Sequence, residues 1–351
     1  MELWACGFNA WNQLQFDGDL PDEPEDVFTF KQVLKAKGSI KIIGTSFSAC
    51  LAAISNDASS PAERIKVAGH PDGFLQAQLE QITAKSSTQT QQEETPFNIS
   101  QEHSRNATAA GNDKIAEFTP TNLIQYPSLT SYLTRSNPNF VLPLPHITQL
   151  VSNTTTFSAL TQEGNIYTWG DERYPCCVGR EINSSNPASV PTHLPTLSSL
   201  PTGPIQKLSS SGPLTAALTS GHDLYIWGRT NVPSIIPELS FPSPSSSSSP
   251  SQFSPSSSND YDPIPLDIHG ADILDFSIGE NHMLVLTTEG ELYVIGENGN
   301  GQLGLGEEEK GRCEEWRLVC LDFGEGSRKR CVGVWAGYKC SFVFVEDAGI
   351  S

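Results

Sequence analysis

Apolar and polar positions alternate with a period of two through much of this chain, and Gly-containing turns interrupt the alternation at short intervals. Three segments align: FSALTQEGNIYTWG at 157–170, TAALTSGHDLYIWG at 215–228 and MLVLTTEGELYVIG at 283–296. Each reads as strand, tight turn, strand, glycine. The turns supply Gly164 and Gly290 where a positive φ is needed, and the flanking runs are rich in β-branched and aromatic residues, as hairpin strands are. A fainter strand precedes each hairpin, at 147–151, 205–209 and 273–277. The same order recurs near the start, with a strand at 40–43, a second at 47–54 and a third at 65–69 after a longer turn. The pattern predicts an all-β chain of repeated antiparallel units.

The two ends of the chain complete one unit. Residues 332–336 and 342–349 form a repeat cut off after its turn, and ELWACG at 2–7 matches ELYVIG at 291–296. A β-propeller closed by one N-terminal and one C-terminal strand accounts for this, because ring closure removes the exposed edges of an open array. The glycines ending the units fall at 7, 69, 170, 228 and 296. Four of the intervals, the wrap-around one included, fit one four-stranded blade each. The interval from 69 to 170 holds either one blade with an insert or two blades. Residues 76–112 are rich in Gln, Thr, Ser and Ala and read as a disordered polar insert, whereas 113–145 could hide a degenerate blade. The expectation is a single propeller domain over 1–351 with six blades, within a range of five to seven. Residues 240–260, with an unbroken Ser run at 245–249, read as a disordered Ser/Pro-rich surface loop.

After the third aligned segment comes GENGNGQLGLG at 296–306, and GFNAWNQL at 7–14 repeats it with Asn12 in place of a glycine. These runs resemble the G-x-N-x-x-G-Q-L-G-x-G signature of the regulator-of-chromosome-condensation family, and the hairpins resemble its T-x-x-G-x-L-Y-x-W-G pattern. The glycines permit a tight turn and close packing of neighbouring blades, and the Asn and Gln side chains can satisfy backbone groups there. The chain departs from the pattern after Gly170, where Cys176 and Cys177 take the Gln and Leu places, and after Gly228, where Gln-Leu is lost. The family fold usually has seven blades. The resemblance implies a propeller that binds proteins, with guanine-nucleotide exchange on a small GTPase as the alternative.

Charge narrows the choice of partner. The formal net charge is -19, so bulk electrostatic binding to nucleic acid is not expected, and a basic protein is the favoured partner, chromatin- or cytoskeleton-associated. The N-terminus lacks the basic and apolar regions of a secretory signal, and no stretch approaches the roughly 18 apolar residues of a membrane span. The eight cysteines include no C-x-x-C pair, which fits reduced thiols in the cytoplasm or nucleus. The sequons at Asn98, Asn106, Asn153 and Asn183 then read as chance products of a Ser/Thr-rich chain.

No catalytic, cofactor or metal constellation stands out. There is no P-loop and no G-x-S-x-G elbow, and the seven histidines show no metal-ligand spacing. The expectation is a scaffold, not an enzyme. Trp169 and Trp227 end equivalent strands and should pack between blades. His222 falls in a hairpin turn, and His282, just before a strand, reads as a packing residue. Arg328, Lys329 and Arg330 form a short basic cluster, which is weak as an import signal. Candidate partner contacts are Asp171, Glu172, Arg173 and Tyr174, a mixed charged-aromatic loop after a strand end, and Trp11, in a loop poor in glycine.

Overall fold

The computed structural model describes residues 1–55, 63–88, 106–228, 235–239, 261–324 and 326–347. Its strands form six sheets. The closing blade joins β1 (Glu2–Gly7) and β2 (Val27–Lys35) to two strands from the other end of the chain. Blade two holds β3 (Ile40–Thr45), β4 (Ala49–Ser55) and β5 (Glu63–Gly69). The helix α1 (Gly73–Thr88) follows. Blade three is β6 (Ala107–Ala109), β7 (Ile115–Phe118), β8 (Asn122–Tyr126) and, after the short helix α2 (Leu129–Leu133), β9 (Phe140–Pro143). Blade four is β10 (Ile147–Ser152), β11 (Thr156–Thr161), β12 (Ile166–Gly170) and, after α3 (Pro175–Val178), β13 (Thr192–His193). Blade five is β14 (Ile205–Ser211), β15 (Leu214–Thr219), β16 (Leu224–Trp227) and β17 (Ile264–Leu266). Blade six is β18 (Ile273–Ile278), β19 (His282–Thr287), β20 (Leu292–Glu297) and β21 (Arg312–Val319). The strands β22 (Lys329–Ala336) and β23 (Cys340–Asp347) return to the closing blade.

The strand order β2-β1-β23-β22 makes the closure explicit, with Leu3 opposite Phe344 and Ala5 opposite Phe342. One carboxylate holds three of these strands. Glu2, on β1, is buried and accepts from Lys35 Nζ of β2 at 2.8 Å, Lys329 Nζ of β22 at 2.7 Å and Trp4 Nε1 at 3.1 Å. Burial pushes its carboxyl upward, but the bonds from Lys329 and Lys35 outweigh that and bring it down to about 2.

The six-blade expectation holds, and the long interval resolves into two blades. Residues 113–145 do contain most of blade three. The reading of 76–112 as a disordered insert is corrected at both ends. Residues 73–88 are helical, and Ala107–Ala109 is the innermost strand of blade three. The helix persists because it is packed from both sides. Leu75 and Leu79 cover Ala49, Leu51 and Ile43 of blade two, while Phe74 joins Ala107, Ile115, Tyr126 and Tyr132 of blade three. Gln78 Nε2 donates to the Ala107 carbonyl at 3.2 Å. Tertiary burial thus decides a segment of modest intrinsic preference. The Ser/Pro-rich stretch at 240–260 lies outside the described residues.

Apolar clusters run around the ring. One spans blade six, the closing blade and blade two; others join three to four, four to five and five to six. Between blades two and three the packing passes through α1. Trp169 and Trp227 are buried as expected. The Trp169 ring stacks on Phe157 at 5.3 Å and its Nε1 donates across blades to Gln125 Oε1 at 2.7 Å. Trp227 packs against the α3 turn, where Gly179 (φ 75°) leaves no room for a Cβ. His222 sits in its turn at φ 72° with Nδ1 2.9 Å from the Ile273 carbonyl.

His282 is fully buried, and neither ring nitrogen has a bonding partner among the described residues. Burial brings its pKa down to about 4, against a smaller upward pull from the Cys340 backbone. Both His282 and Glu2 have folded pKa values below their unfolded ones, so each contributes stability that is complete above the unfolded pKa and lost on acidification. For His282 the loss runs from about 6.5 down to 4, and for Glu2 from about 4.5 down to 2. Denaturant titrations across pH should therefore show two successive losses. In His282→Phe the first should flatten while the second remains. A fall in stability between pH 6.5 and 4 that is as steep in that variant as in the native chain contradicts the assignment.

Candidate interaction face

In each blade the innermost strand, its hairpin partner and the third strand run up, down and up. The turn between the first two strands and the loop after the third therefore emerge at the same end of the ring. Trp11 follows β1 and the Asp171–Tyr174 loop follows β12, so topology puts both on this face. It does not bring them together, because two blades separate the closing blade from blade four.

The two signature turns are built alike. Leu14 N donates to Asn9 Oδ1 at 3.0 Å and Trp11 N to Gln13 Oε1 at 2.9 Å. The matching bonds in blade six run from Leu303 N to Asn298 Oδ1 at 2.9 Å and from Asn300 N to Gln302 Oε1 at 3.0 Å. Asn12 holds φ 57° where Gly301 has 81°, which Asn tolerates better than other L-residues. The substitution therefore keeps the turn. It leaves Trp11 at the crest, 46% exposed, edge-on to His70 at 6.3 Å.

Beside Trp11 lies a second group of rings that the sequence did not nominate. Gln13 Nε2 reaches the Phe47 carbonyl at 3.3 Å. Phe47, in the turn between β3 and β4, is 44% exposed and touches Phe8 at 5.0 Å and Tyr338 at 5.2 Å. Tyr338 occupies the equivalent turn of the closing blade and is 40% exposed. Phe8, Phe47 and Tyr338 thus form one ring cluster across the joint of two blades, and the Trp11–His70 pair stands beside it, linked through Gln13. An aromatic residue at the same place in the two turns, TSFSAC and AGYKCS, was the available signal.

Acidic groups flank this surface. Asp19, Asp22, Glu23 and Glu25 are exposed on the loop between β1 and β2, while Asp17 is paired with Lys66. Asp26 is structural, accepting from Asn9 N at 2.9 Å and Asn300 Nδ2 at 2.8 Å. Glu280 stands at the rim of the channel. Burial raises its carboxyl, opposed by the Tyr338 hydroxyl and the nearby Lys339 ammonium. The channel itself, about 920 Å³, is lined by the innermost strands and opens past Ser46, Gly212, Glu280 and Tyr338.

The Asp171 loop is largely closed on itself. Arg173 bonds Asp171 through Nε at 3.0 Å and Nη2 at 2.6 Å, and this holds the Asp171 carboxyl below its usual range. The guanidinium also lies 5.7 Å from the Tyr174 ring centre. Glu172 is exposed, and Tyr174 is 39% exposed. Behind them Cys177 fills the Leu place of the signature, buried, and Arg180 is buried with its guanidinium donating to the carbonyls of Thr168, Asn186, Pro187 and Val190. Among the described residues no group of three or more His, Cys, Asp or Glu side chains is placed to hold a metal.

Comparison with known proteins agrees with the architecture. The regulator of chromosome condensation (RCC1) repeat matches residues 273–302, the first three strands of blade six and the start of the signature turn that follows them. The RCC1 domain-containing protein RUG3, mitochondrial, of Arabidopsis thaliana is 28% identical over 163 residues, 45% of this chain and 32% of that protein. The ultraviolet-B receptor UVR8 of the same plant is 44% identical over 54 residues, 15% of this chain and 12% of that one. This chain thus spans about a third or less of the length of these relatives. Among solved structures, Prp20p from Saccharomyces cerevisiae superposes with a TM-score of 0.59 at 13% identity, over 99% of this chain and 92% of that one. Yeast RCC1 (Prp20) bound to Kap60 gives 0.54 at 17% identity, over 99% and 77%. The chain thus has a propeller fold like that of these structures, with six blades and a helix at one joint, and one stretch of blade six is similar to the regulator-of-chromosome-condensation repeat.

Proposed function

We propose that this chain is a protein-binding scaffold that engages a basic partner through the face carrying Trp11, Phe47 and Tyr338. The observation that carries the reading is the contiguity of these half-exposed rings with the acidic β1–β2 loop. Lysine or arginine side chains of a partner gain cation–π contact with the rings, while the surrounding carboxylates steer the encounter. Tyr174 and its loop, across the ring, serve as a second contact. Prp20p, whose structure was described with its binding to Gsp1p and histones, offers a parallel in which a propeller of this fold meets proteins. We place the chain in the cytoplasm, the nucleus or both; its eight cysteines are all free, as suits a reducing compartment.

A lysine- and arginine-rich peptide titrated across a salt series tests the proposal. Binding should weaken as salt rises, and Trp11→Ala or Phe47→Ala should each weaken it about 5- to 30-fold, about 1–2 kcal/mol, as for hot-spot aromatics. Tyr174→Ala should have the smaller effect. Full binding by the double variant Trp11→Ala/Phe47→Ala would move the contact elsewhere. Release of labelled nucleotide from a panel of small GTPases should not accelerate. Rapid catalysed release would favour the exchange-factor alternative, in which the propeller acts on a GTPase.

A further inference from the structure

Among the described residues, five of the six blades have four strands, and blade two has three, ending at β5. Among the described residues nothing pairs with the outer edge of β5, since the chain turns inward at residues 70–72 to form α1 instead of a fourth strand. The phase of the ladder shows which backbone groups this leaves open. His70 N donates to the Ser48 carbonyl at 2.8 Å, so the even-numbered residues of β5 bond inward to β4. The N–H and C=O groups of Ile65 and Val67 point outward.

The same positions are covered on the other blades. Leu3 and Ala5 of β1 pair with Leu34 and Lys31, Leu224 and Ile226 of β16 with Leu266 and Ile264, and Leu292 and Val294 of β20 with Val319 and Arg317. In blade four the Ile166 carbonyl accepts from Leu194 N at 2.8 Å. All of those third-strand side chains are buried, whereas Ile65 is half-buried and Val67 is 37% exposed. Blade two has kept the apolar residues of a covered position, and among the described residues no strand covers them. On the same face of the sheet, Ala53 and Ile65 line a groove that runs past Ile82 of α1 into the channel.

We propose that the outer edge of β5 accepts an extended segment of a partner protein as the fourth strand of blade two. The chemistry of the edge specifies the segment. On one face of the added strand, alternate apolar side chains meet Ile65 and Val67. On the other face, acidic side chains stand opposite Arg64, which is exposed and has no ion-pair partner among the described residues, and Lys66, which reaches Asp17. A second copy of this chain fits poorly, because the symmetric antiparallel register that engages both Ile65 and Val67 sets Lys66 opposite its own copy. The closing blade shows that the fold already completes a blade with strands distant in sequence. This site is separate from the aromatic face and does not depend on it.

The probe is a synthetic peptide of alternating glutamate and valine, added to the full chain, with residue-resolved amide exchange as the readout. The Ile65 and Val67 amides should exchange rapidly in the free chain and slow at least tenfold when peptide is present. A peptide N-methylated at alternate residues, which cannot bond to the edge, should give no slowing. Arg64→Glu should transfer the slowing from this peptide to one of alternating lysine and valine. Amides already protected in the free chain would show the edge to be covered by the chain itself and would overturn the proposal. So would an absence of slowing with the glutamate–valine peptide, or slowing that survives N-methylation.

Discussion

Removal of the first 16 residues is expected to abolish the cooperative unfolding transition of this protein. The deletion takes away β1, which is bonded on one side to β2 and on the other to β23. The buried side chains of Leu3, Ala5, Cys6, Leu14 and Phe16 leave the largest apolar cluster with it. The loss also strands Lys35 and Lys329, which share the Glu2 carboxylate, and exposes both edges of the broken blade. Each of the large buried side chains is worth about 2 kcal/mol, so Leu3, Leu14 and Phe16 alone amount to a sum within the roughly 5–15 kcal/mol by which whole domains are stable, and the ladder bonds on both sides of β1 are lost besides. Calorimetry and circular dichroism on the truncated chain measure the effect directly. A truncated protein that melts as sharply as the intact one, at the same temperature, contradicts strand closure as the basis of stability. The single variant Glu2→Gln keeps β1 in place. It should cost a smaller amount, about 1–3 kcal/mol, by weakening the charge-assisted bonds to the two lysines.

Trp169→Ala should give the largest loss of any single substitution in blade four, about 3–5 kcal/mol. Three contributions coincide at this residue. The indole is almost wholly buried, it stacks on Phe157 and it meets Phe140 edge-on at 6.2 Å. Its Nε1–H also bonds Gln125 of blade three, so truncation opens a cavity and strips a buried amide of its partner. Trp169→Phe preserves part of the ring packing and should cost less, about 1–3 kcal/mol, because the loss of the cross-blade bond remains. Urea titrations of the two variants separate these parts. Equal losses for Phe and Ala would mean that the bond to Gln125, not the packing, dominates. A loss under 1 kcal/mol for Ala would mean that blades three and four do not depend on this joint.

Much of the ring was legible along the chain because its information is local. Alternating side chains, a glycine at the turn and a glycine after the third strand define a hairpin within about fifteen residues, and these marks placed β11–β12, β15–β16 and β19–β20 directly. The match between 2–7 and 291–296 revealed the closure for the same reason, since it compares two local patterns. The Asn and Gln of the signature turns could likewise be assigned to backbone groups a few residues away, and both turns make those bonds. The helix α1 was misread although Leu75, Leu79 and Ile82 follow a helical spacing. Its polar residues outnumber that stripe, and only contact with blades two and three supplies the burial that favours a helix over an unfolded polar segment.

The candidate sites belong mainly to the tertiary structure. Trp11 was nominated from its loop, yet its neighbours Phe47, His70 and Tyr338 come from turns and strand ends tens to hundreds of residues away, brought together where the closing blade meets blade two. No periodicity marks such a meeting, because each turn is constrained by its own hairpin and not by the turn beside it. The Asp171 loop was nominated for its charges, but those charges satisfy each other through Arg173, which composition could not disclose. The open edge of β5 is equally invisible in sequence, where ERIKVAG reads like any third strand. What exposes Ile65 and Val67 is the inward course of the chain into α1, and that course is set by packing against two blades. The sequence by itself determined the repeating hairpins, their number to within one blade and the closure of the ring. The tertiary structure decided which side chains remain uncovered, since exposure depends on the neighbours that the ring brings to each edge and not on the residue's own segment.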